Sequence, residues 1–154
     1  MSEVSSPERM NSVSALQIRL EAVPENVMLV RRAVDGAAHT LGASDEVIDD
    51  LKLAVTEGCS NVVKYAYRGR PGELEVALDP LSDGFIVTIA DHGSWLEPDD
   101  GDQAGGGLGI PLMEAVTRSF TIVSDGTGTR LTLEFDLERG DPRVDPAPDP
   151  GAGE

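Results

Sequence analysis

Between Ser44 and Tyr67 the chain keeps one apolar period, and that period limits what the rest can build. Ile48, Leu51, Val55, Cys59, Val62 and Ala66 recur three and four apart, the spacing of one buried helix face. Asp50, Leu53, Glu57, Asn61 and Lys64 fall on the other side. Among them a carboxylate, an amide and an ammonium stack at i, i+4 and i+7. Ala54 and Gly58 flank this polar stripe. Glycine costs a helix interior about 1 kcal/mol relative to alanine, so Gly58 predicts close approach by a group lying on the stripe.

The rest of the chain can be arranged around that helix. Leu16, Ile18 and Leu20 alternate with Gln17, Arg19 and Glu21, which predicts a half-buried strand over 13–23. Pro24 and Glu25 open a first helix with an apolar stripe of Val27, Val30, Val34, Ala37, Ala38 and Leu41. Gly42 can end it in a left-handed cap, and Ser44 can cap the start of the next. Residues 68–72 read as a turn, followed by strands over 73–78 and 84–90 joined by the loop 79–83. Residues 91–106 have no apolar period and much Gly and Asp, and read as a mobile loop. Helical spacing returns over 109–118 through Ile110, Leu112, Met113 and Val116, and strands over 120–123 and 129–137 complete the pattern. Helices separated by adjacent hairpin-like strands predict an α+β sandwich with helices on one sheet face, not alternating βαβ units. One folded domain, 12–138, is expected between a mobile N-terminus (1–11) and a disordered acidic, proline-rich tail (139–154).

Charge excludes some partners. A net charge of −16 would repel nucleic acid and an anionic membrane surface. It suits either a basic protein partner or plain solubility. Cys59, the one cysteine, allows no intrachain disulfide and reads as core packing; with no signal peptide and no membrane-spanning run, a cytoplasmic location is expected.

Three local signals carry chemistry in the second half. Asp91-His92-Gly93 closes the strand FIVTIA, where a fixed carboxylate can accept from an amino group and Gly93 lets the chain turn past a flat ligand. Gly105-Gly106-Gly107-Leu108-Gly109 runs into a helix, where backbone N–H groups and the helix dipole favour an anion. This is neither a P-loop nor a dinucleotide fingerprint. At Gly128-Thr129 a hydroxyl can help hold a base. On the helical stripe, the Asn61 oxygen suits Mg²⁺, Glu57 can accept a proton from an attacking hydroxyl or water, and Lys64 can meet a phosphate as a point charge. Each alone also reads as an ordinary turn, hinge or solvated face. Their conjunction, in that order, distinguishes them.

Glu57-x-x-x-Asn61, Asp91-x-Gly93, Gly105-x-Gly107-Leu108-Gly109 and Gly128-Thr129 resemble the four nucleotide-binding boxes of the GHKL ATPases. The phrases AVTEGCSNVVKYAY and GGGLGIPLMEAVT are most similar to the serine-protein kinase anti-sigma factors within that superfamily. The resemblance implies the Bergerat fold, a two-layer sandwich with a mostly antiparallel mixed sheet. It also implies a site for ATP in which Asn61 holds Mg²⁺ and Asp91 reads the adenine amino group. Gly105, Gly106, Gly107, Leu108 and Gly109 would wrap the phosphates, Thr129 would lie near the base, and Glu57 would be the general base. The implied partners are a sigma factor and a STAS-type anti-anti-sigma protein, the latter phosphorylated on serine or threonine, with the kinase a homodimer. Between Asp91 and Gly105 stand Glu97, Asp99, Asp100 and Asp102 and no Lys or Arg, so a cation there that could touch the terminal phosphate is missing. That leaves an ATP-binding anti-sigma switch with little or no phosphotransfer as the alternative. Trp95 reads as a partner contact or as a latch on the loop. His92 reads as a surface residue.

Overall fold

The computed structural model of the chain describes residues 14–94 and 109–139. The expectations for residues 1–11, for Trp95, for the acidic run 97–102, for Gly105, Gly106, Gly107 and Leu108 and for the tail beyond Arg139 lie outside them.

Strand β1 (Leu16–Glu21) turns its leucines and isoleucine inward and leaves Gln17, Arg19 and Glu21 exposed. Helix α1 (Pro24–Leu41) starts on its proline and stops where Gly42 takes φ 92°, a left-handed cap whose N–H meets the carbonyls of Ala38 and His39. Helix α2 (Asp45–Asn61) starts where Ser44 Oγ accepts from Val47 N at 3.2 Å. Ile48, Leu51, Val55 and Cys59 are buried, as the period requires, and so are Val62 and Ala66 beyond the helix end.

The helix does not run on to Tyr67 in one form. Val62–Ala66 is a π turn, in which i→i+5 bonding takes up an extra residue per turn and underwinds the chain. β2 (Glu73–Leu81) and β3 (Gly84–Asp91) follow, with Leu81 opposite Gly84, so the expected loop 79–83 shrinks to a two-residue hairpin at Ser82 and Asp83. α3 (Gly109–Val116), β4 (Ser119–Asp125) and β5 (Gly128–Asp136) complete the described chain.

The strands lie in the order β1-β2-β3-β5-β4. Among the described residues every pairing is antiparallel, so the sheet is wholly antiparallel there and not mixed. The cause is connectivity: two tight hairpins make two of the pairs, and β5 enters beside β3 running the opposite way. The helices cover one face, where Val76, Leu78, Val87, Ile89, Leu131 and Leu133 meet Val30, Val34, Leu51 and Val55. Each such side chain contributes about 1.5–3 kcal/mol over leaving it exposed. The other face stays open as a groove of about 860 Å³, crossed by Arg19, Glu75, Thr88 and Arg130.

Gly58 has a different reason from the expected one. A Cβ there would stand 2.8 Å from Ile89 Cδ1, 3.1 Å from Leu131 Cδ1 and 3.5 Å from Met113 Sδ. The group that approaches it is the sheet together with α3, because at i+3 and i+4 from Val55 and Ala54 it belongs to the buried face. It makes no room on the polar stripe.

Candidate active site

Asn61 sits at the last residue of α2, only 3% exposed. Its Nδ2 is one of two buried side-chain polar atoms without a hydrogen-bond partner among the described residues, the other being Thr56 Oγ1. A buried polar group left unpaired costs about 1–3 kcal/mol, so the amide is poised for a partner that the described residues do not supply. Facing it is Gly109, the first residue of α3. A Cβ on Gly109 would stand 3.0 Å from Glu57 Oε1, 3.4 Å from Asn61 Nδ2 and 3.8 Å from Asn61 Oδ1. Gly109, at the start of α3, therefore abuts the carboxylate and the amide without a side chain between, and the positive dipole end of the helix faces them.

A second cluster closes the sheet end. Asp91 and Thr129 are each 3% exposed. Asp91 Oδ1 accepts from Gly93 N at 2.9 Å and from Thr129 N at 3.3 Å, and Thr129 Oγ1 meets Ser124 Oγ at 2.9 Å. Gly128, at φ 148°, lies against the Asp91 carbonyl, where a Cβ would come within 2.1 Å of the oxygen. Gly93 has a similar reason: its Cβ would be 2.0 Å from the Ala66 carbonyl oxygen. The backbone of the π turn by itself calls for a glycine at this position. Ser124 was not anticipated. The two-residue turn at Gly126 and Thr127, which sets Ser124 opposite Thr129, was the signal for it.

The two clusters share one end of the molecule. Gly58 packs on Ile89 and Leu131, two residues from Asp91 and Thr129 respectively, while Ser94 N donates to Ala66 O at 2.8 Å. Asn61 lies between Gly58 and Ala66 and is held there. Lys64 contributes none of the three atoms nearest a Cβ on Gly109. It is exposed on the wall of an apolar groove of about 310 Å³ between α1 and α2, with Thr56, Ser60 and Val63. The π turn underwinds the chain after Asn61 and so swings Lys64 toward the Thr56–Ser60 face. Neither groove is lined by Glu57, Asn61 or Gly109.

The donor set fits a magnesium nucleotide. A half-turn of the Asn61 amide presents Oδ1, a hard oxygen ligand, and Mg²⁺ characteristically takes few protein ligands and completes its shell from phosphates and water. No group of three His, Cys, Asp or Glu side chains among the described residues could hold a metal by itself. Around the site, the hydrogen bond from His92 Nε2 to Glu75 Oε2 at 3.0 Å holds the Glu75 carboxyl below its ordinary range. Complete burial pushes the Cys59 thiol up to about 12. Among the described residues no helix is long and apolar enough to cross a membrane.

Residues 20–135 match the histidine kinase-like ATPase domain. The chain is 32% identical over 146 residues to serine-protein kinase RsbW of Bacillus velezensis, covering 84% of this chain and 91% of that one. With RsbW of Bacillus pumilus it shares 33% identity over 148 residues, at the same coverage of 84% and 91%. In fold it is similar to the solved RsbU and RsbW domains of a Mycobacterium tuberculosis protein, with a TM-score of 0.64 at 24% identity over 79% of this chain and 32% of that longer one. A blue-light activated histidine kinase of Erythrobacter litoralis gives a TM-score of 0.51 at 18% identity, over 74% of this chain and 60% of that one.

Proposed function

This chain belongs to the histidine kinase-like ATPase domain family and, within it, to the serine-protein kinase RsbW group; from that premise we propose that it is an ATP- and Mg²⁺-dependent serine/threonine kinase acting as an anti-sigma factor. The proposed partners are a sigma factor and a STAS-type anti-anti-sigma protein that receives the phosphoryl group, with the kinase a cytoplasmic homodimer. The observation that carries the reading is the buried Asn61 amide, its Nδ2 without a partner among the described residues, beside Glu57 and the bare Cα of Gly109.

Asn61 would hold Mg²⁺, which when bound screens the phosphate charge. Gly109, as the last of its glycine run, leaves the phosphates access to the start of α3. Asp91, held by two backbone N–H groups, keeps its carboxylate aimed for the adenine amino group, with Thr129 fixed beside it. Glu57 takes the proton of the substrate hydroxyl as its oxygen bonds to the γ-phosphorus. The bond from that phosphorus to the β–γ bridging oxygen breaks, and ADP leaves with the electron pair.

The test is isothermal titration with Mg·ATP and transfer of labelled phosphate to a co-encoded STAS protein. Asn61→Ala is expected to abolish nucleotide binding. Glu57→Ala is expected to keep binding and to slow transfer by about 10²–10⁴. Unchanged nucleotide affinity in the first variant sinks the metal assignment, and full transfer by the second removes the base. A switch with little phosphotransfer is the second reading, favoured by the acidic stretch between Asp91 and Gly105 with no Lys or Arg. It predicts tight ATP binding without label on the STAS protein.

A further inference from the structure

The Tyr67 phenol lies where the metal-holding and base-reading halves of the site meet. Its hydroxyl donates to Glu73 O at 2.6 Å and accepts from His92 N at 2.9 Å. The ring is seated by two glycines: a Cβ on Gly72 would stand 2.2 Å from Tyr67 Cε1, and one on Gly93 would stand 3.0 Å from Tyr67 Cδ1. Tyr67 directly follows the π turn that ends the Asn61 helix, and His92 is the residue between Asp91 and Gly93. A single side chain thus ties the π turn, the start of β2 and the turn after β3 together.

We propose that Tyr67 is a positioning residue for adenine selection, fixing the Asp91-His92-Gly93 turn at a set offset from Asn61. The inference rests on the nucleotide reading above and extends it. The carboxylate of Asp91 is oriented by the N–H of Gly93 and the N–H of Thr129. The first of these donors belongs to a turn whose middle N–H is held by Tyr67, so losing the phenol oxygen loosens the half of the clamp that β5 does not support and leaves that turn on Ser94 N to Ala66 O and His92 Nε2 to Glu75. Asn61 and the phosphate side keep their own supports, Gly58 on the sheet and Gly109 at the start of α3. Loss of the hydroxyl should therefore weaken base selection and leave the remaining nucleotide contacts in place.

Tyr67→Phe keeps the ring in its seat and removes only the oxygen. The affinity of the variant for ATP is compared with that for purine riboside triphosphate, which lacks the 6-amino group. In the wild type ATP should bind more tightly than the analogue. The variant is expected to lose about fivefold to tenfold of that preference, the worth of one ordinary hydrogen bond, with the analogue's affinity unchanged. Equal weakening of both nucleotides, the signature of a merely structural residue, overturns the proposal, and so does an unchanged preference. A wild type that binds neither nucleotide overturns the nucleotide reading itself, a separate outcome. Should the variant fail to fold, hydrogen exchange on the wild type decides. The His92 amide is expected to be protected and to slow further with ATP, and exchange at the open-chain rate refutes the tie.

Discussion

Gly109 is the residue at which one added atom would stand between Glu57 and Asn61. Alanine would place its methyl 3.0 Å from Glu57 Oε1 and 3.4 Å from Asn61 Nδ2. Gly109→Ala should therefore keep the fold and lose at least about tenfold in Mg·ATP affinity, the equivalent of 1.4 kcal/mol, by titration. Cys59 gives the converse case, a reactive group kept silent. With its thiol pushed up to about 12 by burial, the native protein should resist a thiol reagent at pH 8 and react only after denaturation. Labelling at the native-state rate of a free thiol would contradict the burial. Glu57 and Asn61 were legible as a pair because i and i+4 share a helix face whatever packs nearby. The burial of Asn61 was not, because it depends on α3, which is far away in sequence.

At the scale of elements, the joint between the π turn and the end of β3 is the tightest fit. Gly93→Ala would drive a methyl to 2.0 Å from the Ala66 carbonyl, a backbone atom that cannot step aside as a side chain can. The expected result is a loss of about 1–3 kcal/mol in denaturant unfolding, the usual cost of overpacking, together with loss of ATP binding. Wild-type stability in this variant would mean the joint is loose. Most elements could be read in advance because their signals are local. Ser44 caps whatever helix follows it, Gly42 takes the left-handed turn, and Phe85, Val87 and Ile89 alternate into the core. The π turn could not be read, since Val62 and Ala66 continue the ordinary helical period and are buried as it demands. What distinguishes it is Ala66 O meeting Ser94 N, a contact across 28 positions. For the same reason the helical period does not show that Lys64 lines the groove with Thr56, Ser60 and Val63.

The whole molecule carries far more acid than base, and its stability should show it. At a net charge of −16 the folded state repels itself, so adding salt to about 0.15 M at neutral pH should raise the melting temperature. Acid first acts in the same direction. Asp50 is held above its ordinary value by burial, so its contribution is present when it is protonated and is lost as pH rises. Glu75, lowered by its bond from His92, and Asp35, lowered by its bond from Lys52, work the other way. Their contributions are present above their ordinary values of 4.5 and 3.8 and vanish as pH falls through the lower folded values. Stability is thus expected to gain from Asp50 as pH falls through its raised folded value and then to drop as the Glu75 and Asp35 contributions vanish below 4.5 and 3.8, followed by thermal melts over the acid range. A monotonic fall from pH 8 would refute this balance.

Strand β5 returns to pair with β3 at the residue where β3 ends, with Gly128 against the Asp91 carbonyl. Everything from His92 to Thr127 is thus a detour whose two feet are already riveted together. Lengthening such a detour costs only about 0.6 kcal/mol for each doubling of a flexible stretch, and leaves the feet where they stand. Insertions ahead of α3 can therefore change what the detour touches without disturbing the pairing of β1, β2, β3 and β5.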